Sequence, residues 1–298
     1  MTTIASRKWA ALAAFGLFAF PVFSAPATPD KLDPDWDFWE TPATTGNSAA
    51  DKRLSSLNTA LPSDVPGKKP IRILIDPGHG GFDYGAKSDS GYLEKRVTLR
   101  LGQLVKARVK ALTAAKKLNV EVRLTRENDT FISLRDRTRV ANAWEADMFL
   151  SLHANSEPSA RARGFEVYFA SPEGTDRRAN RLALLENGER AGIALPASPV
   201  LLMLADSQNS AVQNESSRFA EVMFNSLAAY LESSARAVRQ APFSVLSHSI
   251  MPSLLIEVGY LTHPADANRL KNPRYLKKVA DAISQGILDY VTHQGKRP

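Results

Sequence analysis

The chain has 298 residues, no cysteine and a formal charge of +7 at pH 7. It is long enough to bury a full core, and the missing thiol excludes a cysteine nucleophile and any thiolate metal site, leaving five histidines and the carboxylates as metal donors. The positive balance suits an anionic polymer as partner, but no aromatic-rich basic cluster or nucleic-acid motif accompanies it, so nucleic acid is not expected.

Arg7 and Lys8 precede an apolar run from Trp9 to Phe23, and Ala25-Pro26-Ala27 places small residues at the −3 and −1 positions of a cleavage site. That order reads residues 1–27 as a secretory signal peptide. The run is short for a membrane span and Pro21 ends it, so no integral span is expected after cleavage. Residues 28–70, rich in Pro, Asp, Ser, Thr and Ala, read as a linker in which Trp36, Phe38 and Trp39 dock on the domain or touch a partner. The folded domain is expected over 71–294, with 295–298 as a tail.

Ile71–Asp76 reads as a buried strand running into the glycine-rich loop Pro77–Gly81. Residues 94–115 carry Val97, Leu101, Leu104, Val105, Val109 and Leu112 near helical spacing. Val120–Thr125 is a second strand, Ser133–Trp144 a helix, and Met148–Leu152 a third strand ending at His153. Phe165–Phe169 and Leu254–Val258 are further strands, and Val279–Val291 is a closing helix. Strands alternating with helices predict an α/β single domain built on a mostly parallel twisted sheet flanked by helices. In such a sheet chemistry gathers in the loops beyond the carboxyl ends of the strands.

His79, His153 and Glu257 fall at strand ends, and Glu94 opens the first long helix. Two imidazoles and one carboxylate form a catalytic zinc set that leaves a position open for water or a carbonyl. Glu257, inside an apolar strand, is costly to bury without a partner or a task and is the candidate for proton transfer. Each residue alone has a plainer explanation: a structural loop histidine, a helix-dipole glutamate, a hydrogen-bonded core histidine. Asp76 is expected to fix the loop or to accept from a ligand imidazole. Asn155 follows a candidate ligand and is either a substrate-orienting or a turn residue. Arg126 and Arg135 are expected to pair with carboxylates that hold the loops. His248, His263 and His293 have no motif support as ligands.

Asp76–Gly81 followed by Gly91–Lys95 resembles the opening motif of the zinc-dependent amidase 3 family of N-acetylmuramoyl-L-alanine amidases. Leu124-Thr125-Arg126 with Asp129, Arg135 and Arg139 to Asn142, then Ser151–Asn155 and Leu255–Thr262, are similar in the same order. The resemblance extends over 71–292. It implies a six-stranded sheet, one Zn2+ per chain held by His79, Glu94 and His153, and Glu257 as the catalytic residue. It also implies peptidoglycan as substrate, cut between N-acetylmuramic acid and L-alanine in the periplasm for wall remodelling and daughter-cell separation. Two alternatives are a zinc carboxypeptidase or endopeptidase acting on the stem peptide, and a wall-binding protein without catalysis. Residues 171–213 form an insertion similar to the cell-separation branch, where such a segment blocks the zinc site until an activator protein moves it. Glu186 is then expected as an inhibitory zinc ligand.

Overall fold

A computed structural model describes residues 69–157, 161–188, 199–231 and 235–294, all within the unit Pro62–Pro298. The expected signal peptide, the linker with its three aromatics, the tail 295–298 and His293's side chain lie outside the described residues.

Six strands form one sheet: β1 (Ile71–Pro77), β2 (Val120–Leu124), β3 (Met148–Asn155), β4 (Phe165–Ala170), β5 (Ala235–Ala241) and β6 (Ser253–Tyr260), in the order β2-β1-β3-β6-β4-β5. Every residue of β3 and β6 is buried. These central strands read as continuous apolar runs because both their faces are covered. β2, at an edge, alternates between buried and exposed. The sheet is parallel except where β4 runs antiparallel to β6, so β4 and β5 form a reversed pair at one side.

The helices are α1 (Glu94–Ala115), α2 (Leu134–Ala143), α3 (Arg177–Glu186), α4 (Pro199–Tyr230), α5 (Pro264–Lys271) and α6 (Pro273–Gln294). One face of the sheet buries Ile73, Ile75, Leu150, Leu152 and Ile256 against α1, α4 and α6. The other buries Leu74, Phe149, Tyr168 and Leu255 against α2, α3 and the segment Phe243–Met251. Alternation along each strand sends side chains to opposite faces. Thus His153 and Glu257 fall on the side of Phe149 and Leu255. The expected insertion runs on into α4, since its residues 199–213 begin that helix. Among the described residues no helix is long and apolar enough to cross a membrane.

Candidate metal centre

Leu93 precedes α1 and offers no side-chain cap. The first amides of α1 therefore bond to loop carbonyls, Glu94 N to Ala86 O at 2.9 Å and Lys95 N to Tyr84 O at 3.3 Å. This docking aims the buried Glu94 carboxylate back over the sheet. There its two oxygens accept from Ala86 N at 2.7 Å and Ala154 N at 2.8 Å.

The same carboxylate meets two imidazoles. Glu94 Oε2 is 3.1 Å from His79 Nε2, and Glu94 Oε1 is 3.1 Å from His153 Nδ1. Glu186, the last residue of α3, brings Oε2 to 3.4 Å from His79 Nε2 and 3.0 Å from His153 Nδ1. One donor atom from each of His79, Glu94, His153 and Glu186 lies within 4.8 Å of the others, so the four can hold a metal ion. Ligands about 2.0–2.1 Å from a tetrahedral zinc are themselves about 3.3 Å apart, which matches these separations.

Space and orientation are built in. A Cβ on Gly78 would meet His153 Nε2 at 2.5 Å, and one on Gly85 would meet Glu94 Oε2 at 2.5 Å. His79 itself adopts φ 60°, an uncommon conformation for a residue with a side chain. Its Nδ1 faces Asp83 Oδ2 at 2.9 Å, which leaves Nε2 for the centre.

The electrostatics call for a cation. Burial alone would lower the pKa of His153, but the Glu186 and Glu94 carboxylates outweigh it and raise it to about 10. His79 is likewise raised well above the ordinary range by Glu94, Asp83 and Glu186 against its burial. Without a metal, protons supply the positive charge this group of anions demands.

Glu257 stands opposite His153 in the β3–β6 register. It is fully buried, and neither carboxylate oxygen has a hydrogen-bond partner among the described residues. Burial first, and then the charge of Glu186, raise its pKa well above the carboxylate range. Glu166 is its neighbour on the β4 side. That carboxylate accepts from Tyr168 Oη at 3.1 Å and Tyr260 Oη at 2.6 Å, and Arg239 Nε lies 3.3 Å away.

A family model described as N-acetylmuramoyl-L-alanine amidase, Amidase_3, matches residues 73–289. The chain belongs to this amidase family. It is 32% identical to N-acetylmuramoyl-L-alanine amidase AmiC of Neisseria meningitidis over 229 residues, 76% of this chain and 53% of that protein. It is 32% identical to AmiA of Salmonella typhimurium over 223 residues, 73% of this chain and 75% of that one. The amidase AmiC2 of Nostoc punctiforme superposes with a TM-score of 0.56 at 32% identity, covering 76% of this chain and 99% of that one. The chain thus spans about half of the Neisseria relative and three quarters of the Salmonella one.

Within this amidase domain His79, Glu94, His153 and Glu186 converge, with Glu257 beside them. Asn155 is buried at the end of β3, its carbonyl accepting from Leu261 N at 2.9 Å. Asp76 fixes the loop from below: it accepts from Arg137 Nη1 at 2.7 Å, Thr125 Oγ1 at 2.6 Å and Ser151 Oγ at 2.8 Å. The imidazole acceptor is Asp83 instead, because Asp76 lies inside β1 and points under the loop. Arg126 departs from its expected pairing with a carboxylate and bonds to carbonyls, those of Pro77 and Gly78 at 2.8 Å and of Lys95 at 2.9 Å. Arg135 is exposed, and the buried guanidinium of that helix is Arg137. His248 is exposed, and His263 stands before α5.

Asp83, Arg137 and Glu166 were not legible as site residues. The signal for Asp83 was the need of a ligand imidazole for an acceptor. For Glu166 it was strand parity, which sets its side chain on the same face as Tyr168.

Proposed function

We propose that the chain hydrolyses the amide between the lactyl group of N-acetylmuramic acid and the L-alanine of the stem peptide, with one zinc ion held by His79, Glu94 and His153. The observation that carries this reading is the convergence of two imidazoles and a carboxylate beside a buried, unpartnered glutamic acid. Zinc, when bound in such a set, polarises a carbonyl and makes a water acidic near neutral pH. Glu257 takes the proton from the attacking water and returns it to the leaving nitrogen, a role that suits a carboxyl whose proton affinity is raised. Asp83 holds His79 in the tautomer that leaves Nε2 free.

Glu186 reaches both imidazoles from the end of α3, within the insertion, and so takes the position that a water or a substrate carbonyl would need. In this proposal the resting enzyme is autoinhibited, and an activator protein that withdraws α3 and the rest of 171–213 exposes the centre. Export to the periplasm, through the signal peptide at 1–27, and a role in wall remodelling and daughter-cell separation complete the reading.

The test is product analysis on purified cell walls with zinc present. Peptides beginning with L-alanine are expected. Release of a terminal amino acid would identify a carboxypeptidase instead, and no release by the activated protein would leave wall binding alone. Glu257→Gln is expected to keep the metal and lower turnover by about 10²–10⁴-fold. Glu186→Ala is expected to raise activity in the absence of any partner, and unchanged basal activity would refute the block.

A further inference from the structure

Next to the metal centre the surface changes character. Phe82 is 74% exposed and Phe131 40% exposed, and their ring centroids lie 4.2 Å apart with the planes tilted by 31°. Tyr84, two residues on from Phe82, is 56% exposed. Neighbouring aromatics left together in water mark a contact surface.

Both rings sit on backbone that the centre itself holds in place. Phe82 is at the tip of a tight turn closed by Gly80 N to Asp83 O at 2.9 Å and Asp83 N to Gly80 O at 3.1 Å. Asp83 is the residue that orients His79. Lys95, one residue after Glu94, bonds through Nζ to Gly81 O at 2.8 Å and to Asp129 Oδ2 at 2.6 Å, while Gly81 N donates to Asp129 Oδ1 at 2.8 Å. The two loops touch backbone to backbone: a Cβ on Gly80 would come 2.3 Å from Thr130 O. The ring pair is therefore set before any ligand arrives, and binding it costs little ordering.

We propose that Phe82 and Phe131 form a platform for the glycan strand of the wall, whose sugar rings lay their CH faces on the two phenyl rings. This rests on the amidase reading, in which the bond to be cut has a sugar on one side and an acidic peptide on the other. Charge distinguishes the two flanks. In the loops that carry the platform Lys95 is paired with Asp129, and Lys106 with Glu127, so these charges balance beside the apolar rings. Exposed Arg161 and Arg163 lie on the other flank, in the β3–β4 connection. The strand order places the platform loops after β1 and β2, toward one edge. The arginines accompany β4, beyond β6, with His153 and Glu257 on the strands between. An uncharged sugar fits the first flank and peptide carboxylates fit the second. Two rings also match a sugar or two, whereas a stable protein partner covers about 800 Å². The substrate thus lies with its glycan over the β1 and β2 loops and its stem peptide toward the β3–β4 connection.

The test uses the full chain loaded with zinc and the double variant Phe82→Ser/Phe131→Ser, whose sites are exposed. The probe is a peptide-free glycan strand, which contains no cleavable amide. The parent is expected to bind it, and the double variant to bind about tenfold more weakly. Zinc affinity should stay unchanged, and KM on intact walls should rise by a similar factor at constant kcat. Failure of the parent to bind glycan, or equal binding by the double variant, overturns the platform, as does a loss confined to free stem peptides. Because glycan binding needs no cleavage, it decides the platform even where the parent releases no peptide from walls and the amidase reading itself fails.

Discussion

Replacing Arg137 by methionine isolates the support beneath the candidate centre. Arg137 and Asp76 form an ion pair at 2.7 Å in which the side chains are 2% and 0% exposed. The same guanidinium donates to Pro77 O at 2.9 Å, His79 O at 2.8 Å and Ile132 O at 3.0 Å. Removing one partner of a buried pair costs about 3–5 kcal/mol, because the other charge stays behind. For a domain of this size that lowers Tm by about 6–20 °C. Urea unfolding of Arg137→Met against the parent reads the loss, and Arg137→Met/Asp76→Asn should recover about 1–3 kcal/mol of it by removing the stranded carboxylate. The pH dependence has a definite sign. Burial raises the pKa of Asp76, but Arg137, Thr125 and Ser151 more than offset it, so the folded value lies below the ordinary one. The stability that Asp76 contributes to the parent is therefore fully present above about pH 4 and is lost as pH falls through the folded value. Without Arg137 only the Thr125 and Ser151 hydroxyls oppose burial, so the gap between parent and variant should narrow on acidification. A loss below about 1 kcal/mol, or a double variant no more stable than the single one, would refute the reasoning.

Asp83→Ala removes the acceptor on His79 Nδ1 without touching the four donors. Metal affinity, measured by competition with a chelator, should fall by about 10–100-fold while the melting temperature of the metal-free protein changes little. Metal uptake should also release protons. His153, at about 10 in the metal-free protein, and His79, raised above its ordinary range, both carry protons at neutral pH. A metal displaces them, so apparent affinity should rise with pH by about tenfold per unit for each proton lost. Calorimetry in buffers of different ionisation enthalpy reads that proton count, and an affinity independent of pH between 6 and 8 would mean that the imidazoles are not the ligands.

Which parts of the fold were legible follows from burial. β1, β3 and β6 could be read because central strands covered on both faces must be apolar throughout. β5, Ala-Arg-Ala-Val-Arg-Gln-Ala, sits at the sheet edge and among the described residues pairs only with β4, so it carries no such run. α5 is short and mostly polar, and its place is set by packing of Ala267 and Leu270 against the large core. The reversal of β4 against β6 is a matter of chain path, which local periodicity does not encode.

The candidate site divides in the same way. His79, His153 and Glu257 stood out because ionisable groups at the ends of apolar strands need a reason to be there. Arg137 did not, since it lies between Arg135 and Arg139 on one helix, and only docking against the sheet decides which arginine is buried. Glu186 was expected only through the resemblance to the cell-separation branch. In sequence it is a glutamate at the end of an amphipathic helix, where negative charge meets the unfavourable end of the helix dipole and exposure to water would be the ordinary outcome. What removes it from water is Asp176 capping α3 at its start, and Asn187 tying its end to Pro242 O at 2.9 Å and Ser244 N at 2.7 Å. Those contacts deliver one carboxylate to two imidazoles that β1 and β3 supply. No local pattern distinguishes such a residue, because its partners lie on other elements.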